Sequence, residues 1–354
     1  MQHRESSVND QPTNPPSLPS HARDDRVHAY LYDADGHDRE VALNEQCIRD
    51  LGERNLLWVD VGTRDRQVLE PLARLFSLDD ASLRELLRSQ DDLYLDNYGE
   101  YFQFDVVALS PADDNGYETL LPGHNAVHLE FLVGPRWIIT VHDGDLPFLE
   151  AFREQDKGET LIGALSPPAL VASLLDWHLT AYFDALAGLE AFLDRLDEVM
   201  LTRSAKQSLL SGVVEVRRRV SRLRRLLAVQ RLVFYGLSRP DFTHVVESDA
   251  SSHYRSLERR FERAVDAVDH ARDLVNGSFD LFTTRTAEAT NDLVRRLTFV
   301  TVLLGAISAI AGIFGMNVEM PYRQAGVLDF WAVVGILVIL STAAALFARR
   351  KGWI

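Results

Sequence analysis

Two stretches near the carboxyl end carry the strongest hydrophobic pattern. Residues 297–314 (LTFVTVLLGAISAIAGIF) run 18 positions without a charge, and residues 330–348 (FWAVVGILVILSTAAALFA) run 19 more. As helices, each covers roughly 27–29 Å, the thickness of a bilayer's hydrocarbon core. A pair of buried core helices is the poorer account, because Gly305, Gly312 and Gly335 cost a soluble helix stability that a membrane helix tolerates. Two transmembrane helices are expected.

Upstream the pattern divides. Strand-like runs fall at 27–33, 56–61, 101–108, 127–133 and 137–142, with helical spacing at 68–76, 81–87 and 146–154. From residue 168 the chain reads as helix: 168–201, then 205–237, then one helix from about 250 with no proline before Pro321. Its apolar positions Leu257, Phe261, Ala264, Val268, Ala271, Val275 and Phe282 step by four and three, the seam of a helix packed lengthwise. Unbroken to Phe314, that rod is too long for one protomer to bury, so oligomerisation is expected.

The fold class is therefore α+β. A disordered tail (1–25) precedes a cytosolic α/β domain (26–165) and a helical stalk domain (166–296). Transmembrane helix 1 (297–314), an external loop (315–326), transmembrane helix 2 (327–348) and a basic tail (349–354) follow.

Charge refines this picture. The 354 residues hold 37 Lys and Arg against 52 Asp and Glu, a net −15, which argues against a nucleic-acid partner. A single cysteine, Cys47, excludes an intrachain disulfide and suits a reducing compartment. Arg295 and Arg296 precede the first span and Arg349, Arg350 and Lys351 follow the second, while the connection holds only Arg323. The positive-inside rule then puts both ends in the cytoplasm. The first 25 residues have no apolar core and are no signal peptide. Acid concentrates in 91–160, with 15 Asp and Glu against three cations, mostly as a solvated face. The one basic cluster is Arg217, Arg218, Arg219, Arg222, Arg224 and Arg225. With no aromatic residues interleaved, it is expected to pair with Glu190, Asp194, Asp197 and Glu198 on the preceding helix.

At the outer end of the first span stands Gly315-Met316-Asn317, followed by Glu319 and Met320-Pro321. Gly315 permits a sharp turn, and Asn317 offers a neutral carbonyl oxygen, either toward a pore axis or as a helix cap. Below it, Asn291, Val294, Leu297 or Thr298, Thr301, Gly305, Ser308 and Gly312 recur at three- and four-residue steps. That face is small or polar except at Val294 and Leu297, as suits a helix side turned to water or to a close neighbour.

This arrangement resembles the CorA family of divalent-cation transporters, whose signature is Gly-Met-Asn at the mouth of the first of two carboxyl-terminal spans. Thr290-Asn291-Asp292, Ala311-Gly312-Ile313-Phe314, Trp137–His142 and Leu57–Val61 also look like family segments, and the resemblance covers about 25–354. It implies a funnel-shaped homopentamer in the inner (plasma) membrane of bacterial type, passing hydrated Mg2+ and also Co2+ or Ni2+. Gly315, Met316 and Asn317 would be the selector and Glu319 part of the external loop. Asn291, Thr301, Gly305, Ser308 and Gly312 would line the pore, with Val294 and Leu297 as its hydrophobic constriction. It further implies regulation by cytosolic Mg2+ held by carboxylates between subunits, for which Asp91, Asp92, Asp96, Asp266, Asp269, Asp273 and Asp280 are candidates. No cofactor is expected beyond the transported and regulatory ion.

The chain departs from the family in three respects. Gly305-Ala306 stands where Met-Pro is common mid-span, the segment after the motif is one residue short and lacks the family's second glutamate, and Arg323 adds positive charge near the outer mouth. The alternatives are a zinc transporter of the same fold, with or without proton coupling, and a non-conducting membrane-anchored metal sensor or scaffold. An anchored enzyme is a poorer reading, since the chain carries no HExxH, phosphate loop or GxSxG. Its best metal-like group is His142-Asp143 with His124 and His128.

Overall fold

The computed structural model describes residues 26–88, 92–112, 123–155, 160–202, 207–316 and 327–351. They form two compact units. The first takes the chain up to Phe192 together with Glu215–Leu274, and the second takes Leu193–Val214 together with the chain from Val275.

The first unit is built on a seven-stranded sheet. Its strands are β1 (Val27–Asp33), β2 (Arg39–Glu40), β3 (Asn55–Val61), β4 (Leu95–Asn97), β5 (Phe102–Pro111), β6 (His124–Val133) and β7 (Trp137–His142), in the order β2-β1-β3-β7-β6-β5-β4. Only β3 and β7 run parallel; the other pairs are antiparallel. Helices α1 (Glu45–Arg49), α2 (Arg66–Leu75), α3 (Asp80–Leu87) and α4 (Pro147–Gln155) complete the amino-terminal region. Asp65 and Asp79 cap α2 and α3 by accepting from Gln67 N and Ala81 N. The apolar side of α2 and α3 (Leu69, Leu72, Leu86) then packs on Leu57, Val59, Val61, Leu132 and Ile139 of the central strands.

The central strands are covered on both faces, and each face buries charge. On one, Asp60 accepts from Thr140 Oγ1 (2.6 Å), His142 Nε2 (3.2 Å) and Arg153 (3.2 Å). Burial alone would raise the Asp60 pKa, but His142, Thr140 and Arg153 together hold it below the usual carboxylate range. Burial opposes charge on His142 too. Its bonds to Asp60 and to the Gly144 carbonyl (2.7 Å) outweigh that and raise its pKa. On the other face Asp105 stands opposite Glu130 in the strand register. Glu130 is paired with Arg64, and Asp105 bonds His128 at 2.6 Å. That bond is the main reason the His128 pKa is raised.

Helices α5 (Pro167–Thr202), α6 (Gln207–Leu237), the short α7 (Thr243–Val246) and α8 (Ser251–Gly315) follow. Within the first unit, α6 runs antiparallel to α5 and α8, as its cross-links require. His178 on α5 meets Gln230 on α6 at 2.9 Å, Gln230 donates to Tyr182 Oη, and Tyr182 donates to the Val107 carbonyl of β5. Full burial pushes the His178 pKa down to about 4, so the ring stays neutral. Arg260 of α8 reaches Asp176 and Thr180 of α5, and Phe234 stacks on Phe261 at 4.5 Å. The expected seam of α8 is buried at Leu257, Phe261, Ala264, Val268 and Ala271.

In the second unit the seam continues through Val275 and Ser278, with Ser278 donating to Asp197 of α5 at 2.7 Å. Ser278 fills the slot that apolar spacing alone left blank between Val275 and Phe282, and Phe282 is half-buried. Gly277 does not interrupt the helix. Helix α9 (Val327–Arg350) ends the described chain.

One expectation is corrected here. Within the chain, Arg224 pairs with Asp269 of α8 at 2.7 Å rather than with the acids of α5, and Arg219 pairs with Glu215 of its own helix. The physical reason is that α5 and α6 meet along apolar faces, which leaves their charged faces pointing apart.

The Asp60 cluster sets a pH dependence. His142 has a raised folded pKa, so its contribution is complete below about 6.5, its unfolded value, and is lost as pH rises through the folded value. The thermal midpoint of the purified chain should therefore fall on the alkaline side. Asp60→Asn should flatten much of that slope and destabilise by ~3–5 kcal/mol, because it leaves buried cations without a counter-charge. Melting curves from pH 5 to 9 check both.

Candidate functional site

The candidate path residues lie on α8, which belongs to the first unit up to Leu274 and to the second from Val275. Among the described residues, two helices are long and apolar enough to cross a membrane, Ser251–Gly315 and Trp331–Arg350. In the apolar part of α8, four positions are half-covered by the rest of the chain: Phe299, Leu303, Ile307 and Ile310. They fall on one side of the helix at 3.6 residues per turn. Val294, Leu297, Thr301, Gly305, Ser308 and Gly312 fall on the opposite side, and all are exposed. Asn291 is also exposed, at the edge of that side. On α9 Val333, Leu337, Ser341, Ala344 and Ala348 share one covered side, and Val334 and Gly335 beyond it are also half-covered. Each apolar helix thus has one face satisfied within its own chain, and α8 leaves the small and polar face open.

The chemistry of the open face is that of an acceptor surface. Thr301 Oγ1 donates to the Leu297 carbonyl (2.9 Å) and Thr298 Oγ1 to the Val294 carbonyl (2.8 Å). With the hydroxyl hydrogen used inside the helix, the oxygen presents lone pairs outward. Water bound to a cation turns its hydrogens outward, so this is the polarity a hydrated cation needs. Among the described residues, a Cβ at Gly305, Gly312 or Gly315 would meet no atom within 4 Å. At the outer end, Met316 N bonds the Ile313 carbonyl and tightens the last turn, and the helix ends at Gly315. The carbonyl end of a helix dipole favours cations. Asn317, Glu319 and the rest of the expected external loop through residue 326 lie outside the described residues.

The same side continues below the apolar stretch at Thr286 and Thr290, whose hydroxyls also bond back to the carbonyls of Phe282 and Thr286. The signal for them is the same three- and four-residue step, which does not stop at Asn291.

The described candidate regulatory acids form no metal-holding group. Asp92 and Asp96 are exposed at β4, Asp266 and Asp273 are exposed on α8 in the first unit, and Asp280 is exposed in the second. Asp269 is engaged by Arg224, and Asp91 lies outside the described residues. Among the described residues no three His, Cys, Asp or Glu side chains come together to hold a metal. The histidine group read from sequence also disperses, with His142 engaged by Asp60 and His128 by Asp105.

A family described as CorA-like Mg2+ transporter protein matches residues 53–350. The chain belongs to this family. It is thus a member of a family of divalent-cation transporters, which are membrane proteins and not enzymes. Among curated relatives, the divalent cation transporter CmaX of Pseudomonas aeruginosa is 25% identical over 93% of this chain and 96% of its own. The cobalt/magnesium transport protein CorA of Thermotoga maritima is 24% identical over 185 residues, and the match spans about half of each chain, 52%. The solved CorA magnesium transporter of Methanocaldococcus jannaschii superposes with a TM-score of 0.71 at 16% identity, covering 92% of this chain and 98% of its own. Full-length CmaX superposes at 0.68 with 21% identity over 93% and 98%. The fold is that of full-length CorA-type proteins.

The open glycines give a direct test. Gly305→Leu and Gly312→Leu should leave helix content unchanged, since the added side chain meets nothing in the chain, yet should reduce divalent-cation uptake to background in reconstituted vesicles. Circular dichroism and uptake on the same preparations separate the two effects.

Proposed function

We propose that this chain forms a homopentameric channel that carries hydrated Mg2+, and also Co2+ or Ni2+, inward across a bacterial-type inner membrane. The observation that carries the reading is the two-sidedness of α8. Its chain-covered positions, Phe299, Leu303, Ile307 and Ile310, lie opposite the exposed face bearing Thr301, Gly305, Ser308 and Gly312. Neighbouring copies arranged about an axis would bring five such faces around one column of water. Asn291, Thr301, Gly305, Ser308 and Gly312 then line the path, and Val294 with Leu297 form a ring that closes by dewetting.

At the outer mouth Gly315 and Met316 end the helix, and Asn317 contributes a ring of amide oxygens, with Glu319 beyond it. Magnesium surrenders its waters reluctantly, so neutral oxygens that contact the outer hydration shell select it without trapping it. The five helix carbonyl ends beneath that ring add attraction for a cation. With both termini in the cytoplasm, an inside-negative potential favours entry of a double charge by about 4.6 kcal/mol per 100 mV, twice the single-charge value.

Regulation would follow from the exposed acids. The candidates are Asp91, Asp92 and Asp96 of the sheet domain and Asp266, Asp273 and Asp280 of α8, and among the described residues no three acids of one protomer come together around a metal. A cytosolic cation bridging such acids between copies would stabilise the closed assembly by mass action. Asp269 is the weakest of these candidates, because Arg224 already neutralises it.

Vesicle uptake compared for Mg2+, Co2+, Ni2+ and Zn2+, with and without an imposed inside-negative potential, tests the proposal. Mg2+ uptake that rises with the potential and is lost in Asn317→Ala is the expected result. Uptake of Zn2+ alone, driven by a proton gradient, would establish the zinc reading instead, and absence of any flux would leave an anchored sensor or scaffold.

A further inference from the structure

A second uncovered surface lies on α6, in the first unit. Val216, Val220, Leu223, Leu227 and Gln230 are buried, which turns Arg218, Arg222, Arg225, Val229 and Leu232 outward, all exposed and stepping by four and three. Arg219 and Arg224 have ion partners. Among the described residues, Arg218, Arg222 and Arg225 have none. Like charges at such spacing repel one another, and they run directly into two apolar side chains, Val229 at 48% and Leu232 at 62% exposure. Their field reaches the sheet: burial lowers the His124 pKa, and the charges of Arg219 and Arg222 lower it further. A charged stripe that continues into an apolar one has the composition of a helix-packing face.

The complementary surface is on α5 of the same unit. Asp184, Ala187, Gly188 and Ala191 are exposed there, with Glu190 beside them half-exposed. A Cβ at Gly188 would meet nothing, so the face is flat enough for another helix to approach. The bond between His178 and Gln230 sets the heights. Arg222 lies eight residues from Gln230, about 12 Å along the axis, and Gly188 ten residues from His178, about 15 Å. Because α5 and α6 run antiparallel, both displacements point the same way, and the arginines stand level with the acids. Rotation about an axis parallel to the helices preserves height, so in a ring the stripe of one copy comes level with the acidic face of the next.

We propose that the α6 stripe docks on the α5 face of a second copy, with Arg218, Arg222 and Arg225 lying across Ala187, Gly188 and Ala191 to reach Asp184 and Glu190. The contact joins two different faces, the head-to-tail type that closes into rings. It rests on the homo-oligomer proposed above, and adds to it the residues that fix partner and register. Exposed ion pairs contribute mainly this specificity, while the arginine stems cover the small residues.

The test uses the full-length protein in nanodiscs or mild detergent. One variant reverses the basic face (Arg218→Glu, Arg222→Glu and Arg225→Glu together), a second reverses the acidic face (Asp184→Arg with Glu190→Arg), and a third combines all five. Native mass spectrometry reads the oligomer fraction, circular dichroism confirms folding, and a salt titration of the unmodified protein gives an independent reading. Each single-face variant should shift the oligomer–protomer midpoint roughly tenfold toward protomer, the effect of several rim charge pairs. The combined variant should restore it, and added salt should weaken the unmodified assembly. An oligomer unmoved by either reversal, a combined variant no better than its parents, or an assembly indifferent to salt overturns the proposal. So does a triple arginine variant whose only change is lost retention of anionic phospholipid. An unmodified protein that is itself a lone protomer would instead sink the ring on which this contact rests.

Discussion

A helix crosses lipid only if its backbone hydrogen bonds close within it and its outer surface is apolar or covered. The last third of α8 meets the first condition along its whole length and the second on one side only. Phe299, Leu303, Ile307 and Ile310 are the side partly covered by the chain, and Thr301, Gly305, Ser308 and Gly312 are left bare. A face of that composition is out of place against lipid and suited to water or a close neighbour. The proposed function follows from this requirement, since an uncovered small and polar face would give the chain a reason to assemble and the proposed assembly a wet interior.

The first unit supplies what a membrane rod lacks, a rigid body held by buried polar contacts. The Tyr182–Gln230–His178 chain ties α5 and α6 to β5, and the Asp60 and Asp105 clusters sit on opposite faces of the central strands. In the Asp105 cluster, Asp105 and Glu130 are matched by Arg64 and a protonated His128, while Asp60 already has Arg153 as a counter-charge beside His142. Such groups stabilise modestly but enforce one packing arrangement, because any other leaves charge buried without a partner. Arg218, Arg222 and Arg225 of α6 show the opposite situation, surface charges with no ion partner among the described residues.

Much of this was legible in the sequence. Strands β1 and β7 have the expected bounds, because strong β-formers end there at a turn or a charged residue. The two apolar helices and the α8 seam were also clear from length and period. The short pieces β2, α1 and β4 were not, since a two- or three-residue strand is held by its neighbour's register and leaves no period of its own. Ser278 broke the apolar pattern of the seam while filling its slot, because a hydroxyl bonded to Asp197 packs as well as a methyl group there. The charge partners were least legible. Asp60 and His142 are 82 positions apart in the chain, and adjacent charged helices suggested pairings that their facing geometry does not allow. The open side of α8 was readable as a stripe of small and polar residues, but only the structure tells which side the chain itself covers.

The most direct measurement is intersubunit disulfide trapping in membranes, on a Cys47→Ser background with one new cysteine at a time. If α8 turns its open side toward a shared axis, Ser308→Cys should cross-link copies of the chain on mild oxidation and the cross-linked protein should stop passing cations, while Phe299→Cys should give no linked species. Efficient linking through Phe299→Cys with none through Ser308→Cys would contradict the account.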